Sequence, residues 1–327
     1  LIESIWLFTG FRSFRTMKTT QLVREGQDFA RLEIDFFSKG RSQNAQMFID
    51  SKRLVKINGI TQESPRNLLG EFKAVVFSPV SLAVVQDGPS EKRRFLDIAI
   101  SLIKPNYAAF ISRYLKTMAH RNALLRQMGE KRGSDILLEP WDFELAATGA
   151  KIISYRYDYL EKLKDSAAHV YDGISAGREK MELEYLASFK SPGKSEKELA
   201  EAMLAALAKN RDSDIRRQQT SVGPHKDDLD IKINGLCART YGSQGQQRSC
   251  ALALKLGEAA VINQIGGERP IALLDDVMSE LDAGRQAYLL DYLSGWQVFI
   301  TCCDPSILDR SRTEKIFQMK GGQISLT

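Results

Sequence analysis

Three short apolar runs constrain the fold of this chain more than any other feature of its sequence. IALLDDV (271–277) and QVFIT (297–301) have the continuous apolar character of strands that are buried in a parallel sheet. KAVVFSP (73–79), far earlier in the chain, is a third short apolar run and is predicted to be another buried strand. Strands of this type at both ends of the chain predict an α/β fold.

The patterns between these runs change twice along the chain. Residues 29–60 have strand character, because ARLEIDFF alternates polar and apolar residues and Asn58-Gly59 suits a tight hairpin turn. From about residue 90 to 210, apolar residues recur at helical spacing and strand signals nearly vanish. Strand signals return after Thr220.

This order predicts one head and one insert. Residues 1–90 and 220–327 are expected to form a single α/β head. Residues 91–219 are expected to form a helical lobe that is inserted into it.

Composition narrows the class of protein only slightly. The 327 residues are 43% hydrophobic, and 46 Lys and Arg residues exceed 41 Asp and Glu residues. This small basic excess permits a polyanion partner but does not identify one. The four cysteines form no C-x-x-C pair and are interpreted as small hydrophobic residues of a reducing compartment. No apolar run reaches the about 18 residues of a membrane span, so we expect a cytoplasmic protein with no membrane partner.

Two carboxylates follow the predicted strand IALL. An aspartate at the exposed end of such a strand can hold Mg²⁺ directly or through water, and this role is predicted for Asp275. Asp276 would then orient or deprotonate the water that attacks a γ-phosphate. Taken alone, the pattern is explained equally well by a strand end with solvated acids.

A second candidate site precedes these carboxylates. In YGSQGQQRSCALALKLGEAA, the residues Ser243, Gln244, Gly245 and Gln246 open a long helix. Backbone N–H groups at a helix N-terminus, together with a hydroxyl and an unhindered glycine, can bind an anion. The alternative is an ordinary capped helix, in which Ser243 is the N-cap and Gln246 completes a capping box.

In order and spacing, these two stretches resemble the signature helix and the Walker B strand of ATP-binding-cassette (ABC) ATPases. Ser279-Glu280-Leu281-Asp282 then matches the D-loop that follows the Walker B strand. Three motifs in register are improbable by coincidence and indicate an ABC-type ATPase head.

A phosphate-binding loop is not found within the chain. Gly193-Lys194-Ser195 stands before a helix, but the pattern G-x-x-x-x-G-K-S/T requires a glycine where this sequence has Ser188. We therefore interpret SPGKS as a solvated turn.

Over nearly its whole length, the sequence resembles the RecF family of DNA-gap repair ATPases, which are related to the heads of SMC proteins. The matching segments are RSFRT (12–16), PSEKRRFLD (89–97), RNALL (121–125) and GPHKDDL (223–229). They are similar to the family's RSxRT, PSxRRxFLD, RNxLL and GPHRDDL.

The resemblance also bears on the first residues. LIESIWLF is similar to the helix LLEAIYLL, which in the family follows G-x-N-x-x-G-K-T-N directly. No Ser, Thr, Asp or Asn precedes Leu1 to cap a first helical turn, so the segment reads as a helix whose beginning is cut away. We therefore expect a chain that is truncated just after its Walker A P-loop.

The resemblance implies a mechanism in which two heads sandwich ATP and Mg²⁺. Each site would combine the P-loop and Walker B strand of one head with the signature helix of the other, so hydrolysis would be coupled to homodimer formation. Because the usual catalytic glutamate is replaced by aspartate, turnover is expected to be slow. The implied roles are ATP binding in trans by Ser243, Gln244, Gly245 and Gln246, metal binding by Asp275, catalysis by Asp276, D-loop contacts by Ser279 and Asp282, and a switch role for Thr301.

By the same resemblance, the complete protein would be a DNA-dependent ATPase of gap repair and recombination. It would clamp gapped DNA and help RecO and RecR to load RecA onto single-stranded DNA. The alternative is a non-hydrolysing DNA-binding or scaffold module without a functional nucleotide site. The residues proposed to contact DNA phosphates are Arg12, Arg15, Lys92, Arg93, Arg94 and Arg121, although a solvated charged face explains any one of them equally well.

Overall fold

The structure, a computed structural model, describes residues 1–16, 18–130, 138–302 and 315–326. The α-helices are α1 (Ile2–Leu7), α2 (Ala83–Gln86), α3 (Pro89–Ile103), α4 (Pro105–Glu130), α5 (Glu139–Ser175), α6 (Glu196–Lys209), α7 (Arg211–Arg217), α8 (Ala238–Tyr241), α9 (Gln244–Gly266) and α10 (Ala283–Tyr292). The strands are β1 (Ala30–Ser38), β2 (Arg41–Ile49), β3 (Arg53–Ile57), β4 (Ile60–Gln62), β5 (Ala74–Phe77), β6 (Met181–Leu186), β7 (Asp228–Ile233), β8 (Leu236–Cys237), β9 (Ile271–Asp275), β10 (Val298–Thr301), β11 (Phe317–Lys320) and β12 (Gln323–Leu326). Single 3₁₀ turns cover Thr19–Leu22, Pro65–Leu68, Pro79–Leu82 and Met278–Glu280.

The three apolar runs form one parallel sheet of order β10-β9-β5. In the middle strand, Ala272, Leu273 and Leu274 are buried, and every residue of β5 is buried. The sheet therefore joins segments from opposite ends of the chain. The predicted α/β fold, built from both ends, is confirmed.

A second, antiparallel sheet of order β1-β2-β3-β4 lies in the N-terminal part of the chain. Alternate residues of β2 are buried, and Ala45 and Met47 share a hydrophobic core with Trp6 of α1. The predicted tight turn between β3 and β4 is confirmed, because Asn58 and Gly59 adopt φ angles of 50° and 80°.

The long helix α9 is buried along most of its length and packs against α5. At the crossing, a Cβ on Gly257 would lie 3.1 Å from the backbone nitrogen of Ala167, so only glycine allows this approach without displacement. Between these helices and the parallel sheet lies the larger hydrophobic core, to which Cys250 contributes. Cys250 and the half-buried Cys237 are free cysteines, whereas Cys303 lies outside the described residues.

A third sheet crosses the boundary that the sequence places between residues 219 and 220. β6 belongs to the predicted helical lobe, yet it pairs antiparallel with β7 of the predicted head. β6 is short and stands among helices, so its alternating MELEYL pattern carries little weight in the sequence. The division into head and lobe stays a prediction.

Two smaller features of the described residues complete the fold. The SPGKS segment is a turn before α6, with Ser195 as the N-cap and Glu198 completing a capping box, as predicted. In the described parts of the chain, no helix is both long and apolar enough to cross a membrane.

The GPHKDD segment (223–228) leads into β7 and is buried at Gly223, Pro224 and Asp227, and its histidine is held neutral. The carbonyl of Thr220 can only accept, so Nε2 of His225, 3.0 Å away, carries the proton. Nδ1 then accepts from the Tyr114 hydroxyl at 2.7 Å. Burial lowers the pKa of His225 from 6.5 to about 4, because the charged form loses its hydration.

A second buried polar group lies close by and is centred on Arg121, which is fully buried. Its guanidinium contacts Asp142 at 2.6 Å and Asp214 at 2.8 Å, and it donates to the Thr220 hydroxyl at 3.0 Å. The arginine therefore ties α4 to α5, α7 and the segment that leads to His225.

We predict that His225 makes stability fall with acid. Its pKa is higher in the unfolded chain than in the folded one, so the unfolded chain binds more protons as pH falls through 6.5 towards 4. The free energy of unfolding should drop by about 2 kcal/mol from about pH 7 to about pH 5 through this residue alone. Urea unfolding of wild type and His225→Gln at both pH values measures the effect. An equal drop in the variant would contradict the prediction.

We also predict that Arg121→Met destabilises the fold by about 3–5 kcal/mol, because it leaves two buried carboxylates without their shared cation. Urea denaturation measures the change. The matched control is Arg113→Met, which removes an exposed pair with Glu144 and should cost less than about 1 kcal/mol. Similar costs in the two variants would show that the buried group adds no stability.

Candidate active site

The carboxyl ends of β9 and β10 bring the first group of predicted site residues together. Thr301 pairs with Asp275 in the parallel register, and its hydroxyl donates to Asp275 Oδ1 at 3.0 Å. The same hydroxyl accepts from the backbone N–H of Asp276 at 3.1 Å. The threonine therefore fixes both aspartates at the end of the sheet.

Asp276 leaves the strand through an unusual backbone conformation. Its φ angle is 54°, in the left-handed region that Asp and Asn tolerate better than most residues. The hydroxyl of Ser279 lies 2.9 Å from the Asp276 carbonyl oxygen and 3.1 Å from its Oδ1. Asp276 is exposed, whereas Asp275 is half-buried.

This group has the ligand chemistry that Mg²⁺ prefers. Asp275 and Asp276 offer carboxylate oxygens, and Thr301 and Ser279 offer hydroxyl oxygens. No cluster of three or more His, Cys, Asp or Glu residues occurs in the part of the chain that the structure describes. The site therefore suits an ion that keeps several water or phosphate ligands, as Mg²⁺ does, better than one that needs a closed protein cage.

The second group lies at the first turn of α9. Ser243 Oγ accepts from the Gln246 N–H at 3.2 Å, and Gln246 Oε1 accepts from the Ser243 N–H at 2.7 Å. The capping box is thus present, as the local alternative predicts. Ser243 and Gln244 remain exposed, and Gly245 and Gln246 are half-buried, so this helix end is open to an anion from outside.

The predicted D-loop follows β9 and lies against α9. Asp282 is the N-cap of α10, where it accepts from the Arg285 N–H at 3.0 Å. Arg285 lowers the pKa of Asp282, mainly through this backbone hydrogen bond and then through its charge. Arg248 of α9 contacts Glu280, with 2.7 Å between guanidinium and carboxylate.

These contacts define two groups rather than one. Asp275, Asp276, Ser279 and Thr301 gather at the end of the parallel sheet, and the α9 turn forms the other group. Among the described residues, no hydrogen bond joins the α9 turn to the two aspartates directly. The turn is linked instead to the D-loop, through Arg285.

The structure supplies two kinds of contact that the sequence did not indicate. Gln86, which no motif anchors in the sequence, donates to Gln247 Oε1 of α9 at 3.0 Å. Arg285 and Glu179 contact the α9 turn or the D-loop, although neither belongs to a recognisable motif. Only the partners reveal their roles, and those partners are distant in sequence.

Two residues predicted to contact DNA are buried, which corrects that prediction. Arg121 is enclosed by carboxylates, as described above. Lys92 is 6% exposed and lies 3.4 Å from Asp228. Contact with DNA phosphates requires an accessible charge, but the charges of both residues are neutralised inside the protein. They are left out of the DNA surface below.

The other basic residues mostly share one groove of about 790 Å³ between the N-terminal part of the chain and helices α3 and α4. Arg12 and Arg94 are exposed there, and Arg93 is half-buried. The groove adds Arg53 and Arg66, which the sequence analysis did not select. Arg15 is exposed.

The charge of this groove is poorly compensated. Burial, and then the positive charge of Arg12, lower the pKa of Arg53. Arg93 donates to the carbonyl of Asp227 rather than to a carboxylate, whereas Arg94 pairs with Glu91 at 3.5 Å. A surface with this arrangement of guanidinium groups suits an anionic ligand.

Comparisons with curated proteins return close relatives along the whole chain. The chain is 38% identical to the DNA replication and repair protein RecF of Caldanaerobacter subterraneus subsp. tengcongensis over 327 residues, covering 97% of this chain and 88% of that protein. It is 39% identical over 304 residues to the protein of the same name from Thermoanaerobacter sp. (strain X514), covering 92% and 83%. No protein-family model matches the chain.

Solved structures agree with this result. The recombination mediator protein RecF in its ATP form, of the RecFOR pathway, superposes with a TM-score of 0.90 at 36% identity, over 100% of this chain and 87% of that one. The Smc head domain derived from Pyrococcus furiosus superposes with a TM-score of 0.52 at 12% identity, over 100% and 85%. The second likeness shows the fold alone, that of an Smc head domain. With its relatives above one-third identity and matched over most of their length, this chain belongs to the RecF family.

Proposed function

We propose that this protein is an ATP-dependent DNA-binding protein of replication-gap repair and recombination. The observation that carries the proposal is the group at the end of the parallel sheet, where the Thr301 hydroxyl holds both Asp275 and Asp276. Support comes from the relatives, which are named DNA replication and repair proteins, and from the ATP forms of the solved neighbours.

Within this proposal, the two aspartates have different tasks. Asp275, held by Thr301, would be the Mg²⁺ ligand, and the ion would neutralise phosphate charge. Asp276 is exposed and would orient the attacking water and accept its proton. The Ser279 hydroxyl, within 3.1 Å of the Asp276 carboxylate, would keep that carboxylate in place. A shorter acid than glutamate is consistent with slow turnover.

The α9 turn would act on the nucleotide of a second subunit. Ser243, Gln244, Gly245 and Gln246 are linked to the D-loop of their own chain rather than to its aspartates. Because the capping box uses the N–H groups of Ser243 and Gln246, the N–H groups of Gln244 and Gly245 would be the ones that face ATP across a homodimer interface. Asp282 and Ser279, which are both exposed, would carry the D-loop contacts.

The remaining parts of the proposal concern DNA and partners. Guanidinium groups from Arg12, Arg53, Arg66, Arg93 and Arg94 would contact backbone phosphates, with Arg15 as a further exposed cation. No base-reading motif is present in the sequence, so gapped DNA would be recognised by its structure. Cooperation with RecO and RecR in the cytoplasm, and RecA loading, rest on the family and on the RecFOR pathway of the solved neighbours.

Substitution of the proposed catalytic acid tests the ATPase. In protein expressed from the complete gene, Asp276→Asn should lower ATP turnover by about 10²–10⁴-fold, because the amide cannot accept a proton. It should preserve ATP-dependent dimerisation, measured by light scattering. Asp87→Asn, at an exposed site outside both groups, is the control.

The outcomes separate the two functions. If the wild-type protein neither hydrolyses ATP nor changes its oligomeric state when ATP is added, the ATPase proposal is wrong. If that protein still binds gapped DNA, the non-hydrolysing DNA-binding module is the better description. The coding sequence upstream of Leu1 should be read first, because the P-loop that we expect there stays a prediction.

A double substitution tests the DNA surface. Arg12→Ala with Arg66→Ala should weaken binding to a gapped duplex and lower the slope of log K against log salt by about 2, since two phosphate contacts are lost. Fluorescence anisotropy over a salt series measures both quantities. Arg31→Ala with Lys180→Ala removes the same charge from exposed pairs elsewhere. If the control pair lowers the slope equally, the groove is not the DNA site.

A further inference from the structure

The first turn of α9 is held from two sides by residues outside its motif. We call Tyr171, Glu179, Gln246, Ser249 and Arg285 the α9 clamp. On one side, Glu179 lies between α5 and β6 and accepts from Gln246 Nε2 at 2.8 Å. Its other oxygen accepts from the Tyr171 hydroxyl at 2.7 Å. These two hydrogen bonds, Tyr171 first, lower the pKa of Glu179, so it remains a carboxylate.

On the other side, one guanidinium group bridges the helix and the D-loop. Arg285 Nε donates to the hydroxyl of the buried Ser249 at 2.8 Å, and Nη2 lies 3.3 Å from the Gly245 carbonyl oxygen. Nη1 pairs with Asp282. Ser249 itself donates to the Gly245 carbonyl at 3.0 Å, so the arginine and the serine meet on the same turn.

Both sides of the clamp hold the first turn of α9, and one of them also holds the D-loop. Gln246 both completes the cap of Ser243 and donates to Glu179, so Glu179 fixes the capping side chain. Arg285 fixes the carbonyl of the residue next to Gln246 and the D-loop aspartate at once. The positive charge of Arg285 also helps to lower the pKa of Glu179, so the two sides of the clamp interact electrostatically. Because the guanidinium group of Arg285 is planar and forked, its hydrogen bonds fix the orientation of the α9 turn as well as its distance from the D-loop.

We propose that Glu179 and Arg285 are positioning residues, which hold the first turn of α9 in the geometry needed to close over ATP bound by a second subunit. Neither has to touch the nucleotide. Through Glu179, the position of the turn depends on the position of the helical lobe. Through Arg285, it depends on the position of the D-loop. This inference rests on the proposed function, in which α9 acts in trans.

The test mixes subunits that are inactive alone, all expressed from the complete gene. Asp276→Asn leaves an intact α9 turn, and Arg285→Met leaves an intact catalytic acid. If Arg285 acts through α9 in trans, mixed dimers contain one competent site. A one-to-one mixture should then recover about one quarter of the wild-type ATPase rate, since half of the dimers are mixed. Arg285→Met alone should lose about tenfold or more.

A reference mixture separates the inference from the proposed function. Gln244→Asp places a negative charge at the exposed helix end, where it repels phosphate but favours the helix. If Gln244→Asp mixed with Asp276→Asn recovers activity and Arg285→Met does not, the inference is wrong. If the reference mixture also stays inactive, the sandwich of two heads is wrong.

Conservative variants distinguish positioning from stability. Arg285→Lys keeps the charge but not the fork, so it should recover only part of the activity, and Glu179→Gln should retain more than Glu179→Ala because it keeps an acceptor for Gln246. Thermal unfolding of each variant is measured in parallel. A loss of activity that follows the loss of stability, with no recovery on mixing, would show that the clamp is merely structural.

Discussion

The parallel pairing of β9 with β5 and β10 is the constraint on which the rest of the structure depends. It brings residues 74–77 against residues 271–274 across the long helical segment, so segments that are far apart in the chain share one sheet. The same pairing sets Thr301 beside Asp275. A parallel sheet exposes its carboxyl ends at a single edge, and both aspartates therefore stand where a ligand can be reached.

Helix α9 adds a second group of candidate site residues, its first turn, to the group at the end of the parallel sheet. Its middle part is buried between the sheet and α5, and its first turn is one of its two exposed ends. Its polar contacts run sideways, to Glu179, Glu280 and Arg285, rather than to the aspartates of its own chain. A site that is divided in this way within one subunit is suited to completion by a second subunit.

Much of the fold and of the candidate site could be predicted from local sequence, and the predictions that failed share one cause. The apolar runs, the Asn58-Gly59 turn and the Ser243 capping box depend on neighbouring residues, and each was predicted. The sequence predicts DNA contacts for Arg121 and Lys92, because the acids that pair with them inside the protein, such as Asp214, are far away in the chain.

The same cause hides useful residues. Arg285 and Glu179 look like ordinary charges on a helix and in a turn, and only the folded chain gives them partners. Likewise, Arg53 and Arg66 join the basic groove through the fold, not through a motif. Strand β6 has only a weak signal in the sequence, because six residues of alternation carry little weight between long helices. Tertiary contacts, rather than weak local propensity, decided each of these positions.

The close approach at Gly257 has a mechanical consequence. With no side chain between α9 and the backbone of α5, the two helices have little space in which to slide past each other. The 23 residues of α9 form a helix about 34 Å long, which is held near its middle and has its first turn exposed at one end. A larger residue at the crossing would push α9 and α5 apart. It would tilt the first turn of α9 without altering any residue of the candidate site.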